Sequence, residues 1–112
     1  MDVINHEKLE RLGNEIGADN VPILLNIFLG ELTEYMGTLA NESGMQGDAL
    51  KEISHALKSS AASFGAEALC ATAIEIDSLV KSGEHFDTRS YTSSLVELLQ
   101  ATHTEYEKIM QN

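Results

Sequence analysis

The chain has 112 residues, of which 43% are hydrophobic, and it carries one Cys and no Trp. Its 18 Asp and Glu against 7 Lys and Arg give a formal net charge of −11, and so acidic a chain repels phosphate backbones and anionic membranes, which excludes nucleic acid and membrane surfaces as expected partners. Cys70 is the single cysteine, so no internal disulfide can form. No apolar run approaches the roughly 18 residues that a membrane span needs. The N-terminus does not resemble a signal peptide. We therefore expect one cytoplasmic domain over residues 1–112.

Hydrophobic residues recur at helical spacing in five successive segments. The first segment contains Leu9, Leu12 and Ile16. It is expected to end at Gly17, because glycine commonly caps the C-terminus of a helix. Asp19 or Asn20 could cap the second helix, and Pro22 suits its first turn, where no backbone N–H is needed.

The segment 41–47 contains two glycines and no hydrophobic period, so it is predicted to be a loop. Asp48 is a suitable N-cap for a third helix, which we expect to run to Phe64. Gly65 is predicted to end that helix with a positive φ angle.

A fourth helix is predicted over residues 67–81, and Asp87 or Thr88 could cap the fifth. No sustained period-2 pattern predicts a strand. The short connections favour antiparallel neighbours. The predicted fold is therefore all-α: an antiparallel up-down-up-down four-helix bundle with a short additional N-terminal helix.

The third helix has a surface that differs from the acidic remainder. With a step of about 100° per residue, Leu50, Ile53 and Leu57 lie opposite His55, so His55 is expected to point away from the core. Beside His55 lie residues that we predict to form a face for docking a partner protein: Lys51, Glu52, Ala62 and Ser63. Several are small, which leaves room for close approach.

The chemistry that this surface suits is phosphoryl transfer. A neutral imidazole, whose reference pKa is near 6.5, is a competent nitrogen nucleophile at neutral pH. Phosphoryl transfer requires an in-line nucleophile and positive charge for the phosphoryl oxygens. Lys58 could supply the charge and Ser59 a hydrogen bond, since they follow His55 by three and four residues.

The segment from His55 through Lys58 and Phe64 to Gly65, His-Ala-Leu-Lys-Ser-Ser-Ala-Ala-Ser-Phe-Gly, resembles the signature of histidine-containing phosphotransfer (Hpt) domains. Many family members have Gly where this chain has Ser59, a residue still small enough to keep the histidine accessible. The resemblance extends through the first two helices and covers essentially the whole chain.

The resemblance implies that His55 accepts a phosphoryl group from the receiver aspartate of a hybrid sensor histidine kinase. It further implies reversible transfer to the receiver aspartate of a response regulator, in a quorum-sensing phosphorelay. Lys58 would stabilise the phosphoryl group, and the only metal implied is Mg²⁺ in the partner receiver. The chain itself would need no cofactor and would act as a monomer, and without a Gly-rich nucleotide loop it is not expected to be a kinase.

Two other functions compete with this hypothesis. A non-covalent helical adaptor would use the same face and carry no phosphate. A metal-storing bundle is disfavoured because no Glu-x-x-His pair lies on the predicted core faces. The remaining histidines, together with Glu75 and Asp77, are predicted to be solvent-facing surface residues.

The distribution of charge fits an anionic group at His55. Residues 49–66 contain two lysines and one glutamate, a net charge of +1, which leaves −12 for the rest of the chain. The acidity therefore lies outside the predicted reactive helix.

Overall fold

The structure is a computed structural model that describes residues 2–41 and 46–111. Within these ranges the chain forms five α-helices and one 3-10 turn and contains no strand, which confirms the all-helical prediction. The helices, in chain order, are α1 His6–Ile16, α2 Val21–Asn41, α3 Gln46–Phe64, α4 Glu67–Ser82 and α5 Thr88–Gln111.

Helices α2 to α5 share one core, and the most extensive contacts join α3 to α4 and α2 to α5. Helix α4 also contacts α5, and α2 contacts α3, while α1 packs on α3 and α2. The largest fully buried apolar side chains come from all four long helices: Leu25, Phe28, Leu32, Leu50, Leu57, Leu69, Ile76, Leu95, Leu99 and Tyr106. One core therefore fixes α3 on several sides.

The predicted start of the third helix needs correction. Asp48 does not precede α3 but lies in its first turn, since the helix begins at Gln46. There its negative charge interacts favourably with the positive, N-terminal end of the helix dipole, which explains why an acidic residue occurs near this terminus. The predicted loop 41–47 is correspondingly shorter, because position 41 belongs to α2 and positions 46 and 47 belong to α3; residues 42–45 lie outside the described part of the chain.

The connection from α1 to α2 is a 3-10 turn, Ala18–Asn20, which the hydrophobic pattern did not predict. Gly17 ends α1 with a φ of +93°, as its position indicated. The side-chain amide of Asn20 donates a hydrogen bond to the carbonyl of Ile16 at 2.6 Å. This hydrogen bond therefore gives a partner to a backbone carbonyl at the C-terminal end of α1. Pro22 lies in the first turn of α2, as predicted.

The N-terminal segment holds the corner between α3 and α4. The backbone N–H of Asn5 donates to the carbonyl of Gly65 at 2.6 Å, and the N–H of Ala68 donates to the carbonyl of Asp2 at 3.1 Å. Gly65 has a φ of +79°, and a Cβ atom there would lie 2.7 Å from the carbonyl oxygen of Asn5. Glycine is needed at this corner for both its backbone conformation and the close approach of the N-terminal segment.

Candidate functional site

Helix α3 presents His55 to solvent because its other side is anchored in the core. Leu50 and Leu57 are fully buried and Ile53 nearly so. The His55 side chain is 68% exposed. The helical period that buries the leucines therefore sets the direction of the imidazole.

The predicted neighbours of His55 are exposed along the same side of α3: Lys51, Glu52, Ser59, Ala62 and Ser63. The hydroxyl of Ser63 donates to the carbonyl of Ser59 at 3.1 Å, so that this side chain lies against its own helix. Apart from Lys58, no long side chain therefore projects from this side of α3 between His55 and Ser63, and this surface is accessible.

Two open grooves border this surface. One, of about 660 Å³, lies between α2 and α3, and its walls include Tyr35, Lys51 and Glu52. The other, of about 210 Å³, lies between α1 and α3 and is lined in part by Arg11 and Ala62. The sequence pattern of α3 did not indicate α1 or α2 residues at the site, because they reach it only through packing.

The residue that sequence reasoning missed is Asp77. Its side chain is only 7% exposed, so the prediction that Asp77 faces solvent is wrong, whereas Glu75 is exposed as predicted. Asp77 Oδ2 lies 2.6 Å from Lys58 Nζ and 2.9 Å from Lys81 Nζ. A buried carboxylate requires such partners, and two ammonium groups at the α3–α4 interface supply them.

The second oxygen of Asp77 faces the histidine. Asp77 Oδ1 lies 3.6 Å from His55 Nδ1. Lys58, whose side chain is 29% exposed, therefore contacts the same carboxylate that approaches the imidazole. The structure brings His55, Lys58, Asp77 and Lys81 into one polar cluster, which we call the histidine cluster.

The pKa of Asp77 reflects these contacts. Hydrogen bonds from Lys58, and next from Lys81, lower the pKa of Asp77 from its ordinary 3.8 to about 2. The hydrogen bond with Asp77 is also the main reason that the pKa of Lys81 is raised. Both shifts favour the charged forms, so Asp77 is a carboxylate and Lys81 an ammonium at neutral pH.

We expect the contribution of Asp77 to stability to depend on pH. Because its pKa is lower in the folded state, the ionised carboxylate stabilises the fold at neutral pH, and this contribution is lost as the pH falls from 3.8 toward about 2. The free energy of unfolding should therefore differ between the wild type and Asp77→Asn at neutral pH, and the difference should shrink over that range. Urea unfolding at a series of pH values measures it.

Subtracting the variant isolates Asp77 from the other carboxylates. Glu67, whose pKa is lowered chiefly by the hydrogen bond from Lys8, titrates in both proteins and cancels in the difference. A difference that stays constant from neutral pH to about 2 would contradict the assigned ion pairs.

The remaining histidines lie in other surroundings. His6 and His85 are exposed, while His103 is half-buried and places its Nδ1 3.1 Å from Glu107 Oε1 on α5. Among residues 2–41 and 46–111, no three His, Cys, Asp or Glu side chains come together in a way that could hold a metal ion. In the same ranges no helix is both long and apolar enough to cross a membrane.

The structure places an exposed histidine on a core-anchored helix, with a lysine one turn later and glycine at the helix end, as the resemblance of the sequence to Hpt domains implies. The Hpt domain family matches residues 23–107, which include the whole histidine cluster. The chain therefore belongs to the Hpt domain family.

Within this family the chain is similar to phosphorelay proteins of Vibrio species. It is 52% identical over 108 residues to the phosphorelay protein LuxU of Vibrio cholerae, covering 96% of both chains. It is 52% identical over 106 residues to LuxU of Vibrio harveyi, covering 94% of this chain and 93% of that one, and 47% identical to LuxU of Vibrio vulnificus over 107 residues, covering 95% and 93%. No solved structure matches the chain significantly.

Proposed function

We propose that this protein is a phosphocarrier of a two-component phosphorelay in quorum sensing, and that His55 carries the phosphoryl group. The observation that carries the proposal is the imidazole itself, 68% exposed on a helix whose opposite side is fixed in the core. The similarity to phosphorelay proteins of nearly equal length supports the same role.

The proposed reaction is an exchange between histidine and aspartate. A ring nitrogen of His55 attacks the phosphorus of an aspartyl phosphate, the new P–N bond forms as the P–O bond breaks, and the aspartate leaves as a carboxylate. The reverse reaction passes the group to the aspartate of a second receiver. Mg²⁺ belongs to the receiver in this proposal, and the chain contributes the nucleophile and its surroundings.

The charges near His55 support an anionic cargo. Lys51 precedes His55 by one turn and Lys58 follows it by one turn, so that both lysines lie on the same side of α3 as the imidazole. We assign Lys58 to stabilisation of the phosphoryl group, in addition to its contact with Asp77. Ser59 is assigned the role of a small neighbour that leaves the in-line approach open.

The proposed partners are the receiver domains of hybrid sensor kinases and of a response regulator. We assign their docking to the exposed side of α3, with Lys51 and Glu52 at the groove toward α2, and Ala62 and Ser63 at the groove toward α1. A monomer in the cytoplasm, with this face open, is the proposed working form.

We also propose that α2 to α5 run up-down-up-down as an antiparallel bundle within a single domain. Contacts of α2 with α3, α3 with α4, α4 with α5 and α5 with α2 support a closed ring of four helices. The short connection of Gly65 and Ala66 between α3 and α4 supports an antiparallel pair, because it leaves the chain no room to return to the starting end.

A transfer assay with an Ala62→Arg variant tests the docking face. The arginine projects from an exposed position of α3 and should obstruct the receiver, so transfer from a phosphorylated receiver should slow at least about tenfold, equivalent to about 1.4 kcal/mol. Labelling of His55 by phosphoramidate, a donor small enough to need no docking, should be unchanged.

The same assay separates the proposal from a non-covalent adaptor. The wild type should acquire phosphate that is labile in acid and stable in base, whereas an adaptor would bind the receiver and acquire none. Normal transfer by Ala62→Arg would place the docking face elsewhere on the molecule.

A further inference from the structure

The carboxylate of Asp77 has two ammonium partners on one oxygen. Its Oδ2 lies 2.6 Å from Lys58 Nζ on α3 and 2.9 Å from Lys81 Nζ on α4. One cation balances the charge of a carboxylate, so the second is in excess while His55 is unphosphorylated. Resting on the proposed function of His55, we propose that Lys81 is a positioning residue: it stays with Asp77 when Lys58 turns to the phosphoryl group, and so makes Lys58 available to the reaction.

Lys58 has two anions within its reach once His55 is phosphorylated. It follows His55 by one turn of α3, so its side chain shares the surroundings of the imidazole. The Asp77 side chain is only 7% exposed between α3 and α4, whereas the imidazole is 68% exposed. The ammonium group of Lys58 must therefore move outward from the interface to contact the oxygens of a phosphoryl group on His55.

This movement would be costly if Lys58 were the only partner of Asp77. Taking one partner away from a buried ion pair is strongly destabilising, because it leaves the other charge out of water and uncompensated. Lys81 removes this cost, since the carboxylate keeps one charge-assisted hydrogen bond when Lys58 leaves.

The position of Lys81 suits it to remain with Asp77. It follows Asp77 by one turn on the same helix, and helical side chains lean toward the N-terminal end, so its ammonium group reaches back over the carboxylate. The hydrogen bond with Asp77 is also the main reason that the pKa of Lys81 is raised. This contact is made within α4 and does not depend on where the side chain of Lys58 points.

The exchange gives each anion one cation. A phosphoryl group on a protein carries a charge of roughly −1.5 to −2 at neutral pH, more than the −1 of a carboxylate, so it competes successfully for Lys58. Lys58 then pairs with the phosphoryl group and Lys81 with Asp77. When the group passes to a receiver, Lys58 returns to Asp77, and the movement is as reversible as a carrier requires.

Lys81→Met tests the exchange, because methionine keeps an unbranched apolar side chain and removes the ammonium group. The assay is labelling of the full chain by phosphoramidate, a donor small enough to need no docking. Without Lys81, Asp77 holds Lys58, and the rate of labelling should fall roughly tenfold, the effect of losing one hydrogen bond between charged groups. Lys81→Arg keeps a cation that can pair with Asp77, so its rate should stay close to that of the wild type.

A second substitution separates this role from a direct contact of Lys81 with the phosphoryl group. In an Asp77→Asn background no carboxylate holds Lys58, so adding Lys81→Met should change the rate by no more than about twofold. A lysine that contacted the phosphoryl group itself would be missed equally in both backgrounds. A tenfold fall that persists in the Asp77→Asn background would therefore overturn the proposal, as would a Lys81→Met variant that is labelled as fast as the wild type.

Lys108→Met is the matched control for the lost charge. The side chain of Lys108 is 65% exposed, close to the 62% of Lys81, and it also pairs with a carboxylate of its own helix, Glu105, at 3.2 Å. Its replacement should leave the rate of labelling unchanged. An equal fall in both variants would mean that the net charge of the chain governs the rate, which contradicts a specific role for Lys81.

The wild-type chain alone decides the inference if the variants fail to fold. Spectra of the lysine NH₃⁺ groups in the ¹³C,¹⁵N-labelled chain show, through couplings across hydrogen bonds, which anion each lysine contacts. We expect both lysines to be coupled to Asp77 before phosphorylation, and afterwards Lys81 to Asp77 and Lys58 to phosphorus. A Lys58 that stays with Asp77, or a Lys81 coupled to phosphorus, overturns the exchange while leaving a phosphorylated His55 intact. A wild type that accepts no phosphate from phosphoramidate or from a receiver would instead refute the proposed function.

Discussion

A His55→Gln variant is expected to fold as the wild type does and to take up no acid-labile phosphate from a phosphorylated receiver. Glutamine preserves polarity and approximate size, but its amide nitrogen is not a nucleophile. Because the side chain is 68% exposed, the free energy of unfolding should change by no more than about 0.5 kcal/mol. Acid-lability of the bound phosphate and urea unfolding provide the two measurements.

The control for this variant is His85→Gln. His85 is exposed, as His55 is, but it lies in the connection between α4 and α5. Its replacement should leave phosphate uptake at the wild-type level. Uptake by the His55→Gln variant equal to that of the His85→Gln variant would refute the assignment of His55.

Phe28→Ala is expected to produce the largest loss of stability. Phe28 is fully buried, stacks on Phe64 with ring centroids 4.5 Å apart and meets the edge of Tyr106 at 5.4 Å. Truncating a buried aromatic ring costs about 3–5 kcal/mol, a large part of the roughly 5–15 kcal/mol that stabilises a typical domain. Urea unfolding followed by circular dichroism measures the change.

This aromatic cluster also bears on the site. Phe64 is the last residue of α3, and the Tyr106 hydroxyl donates to its carbonyl at 2.7 Å. The cluster therefore anchors the end of the helix that carries His55. Burial raises the pKa of Tyr106, which keeps its hydroxyl protonated as a donor across the neutral range.

The neighbouring residue offers a matched control. Ile27 precedes Phe28 on the same helix, is 55% exposed and contributes little buried area. Ile27→Ala should change the free energy of unfolding by about 0.5 kcal/mol or less. If Phe28→Ala were as mild as Ile27→Ala, the aromatic cluster would not be the anchor of α3 that the packing indicates.

The helices and the direction of His55 could be predicted because both depend on local periodicity. Leu50, Ile53 and Leu57 define the buried side of α3 by spacing alone, and an imidazole on the opposite side must face solvent. Gly17 and Gly65 follow the ends of their helices where the sequence indicated, each with a positive φ. The 3-10 turn and the start of α3 were missed because short elements and helix ends carry weak sequence signals.

The histidine cluster could not be predicted in full, because its central contact joins different helices. Lys58 and Asp77 are 19 residues apart in the chain and meet only when α3 packs on α4. The one local signal was the i, i+4 spacing of Asp77 and Lys81, which often marks a surface ion pair. Asp77 follows the buried Ile76 in sequence, but the two lysines that allow Asp77 to be buried are evident only from the packed structure.

The central claim is that His55 bears the phosphoryl group, and mapping the modified residue in the wild-type chain tests it most directly. The chain is incubated with a phosphorylated receiver, digested at alkaline pH to preserve phosphohistidine, and analysed by tandem mass spectrometry. The four histidines, His6, His55, His85 and His103, are well separated in sequence, so the modified peptide identifies the site. We predict phosphate on His55 alone; phosphate on another residue, or none on the chain while the receiver remains bound, would contradict the account.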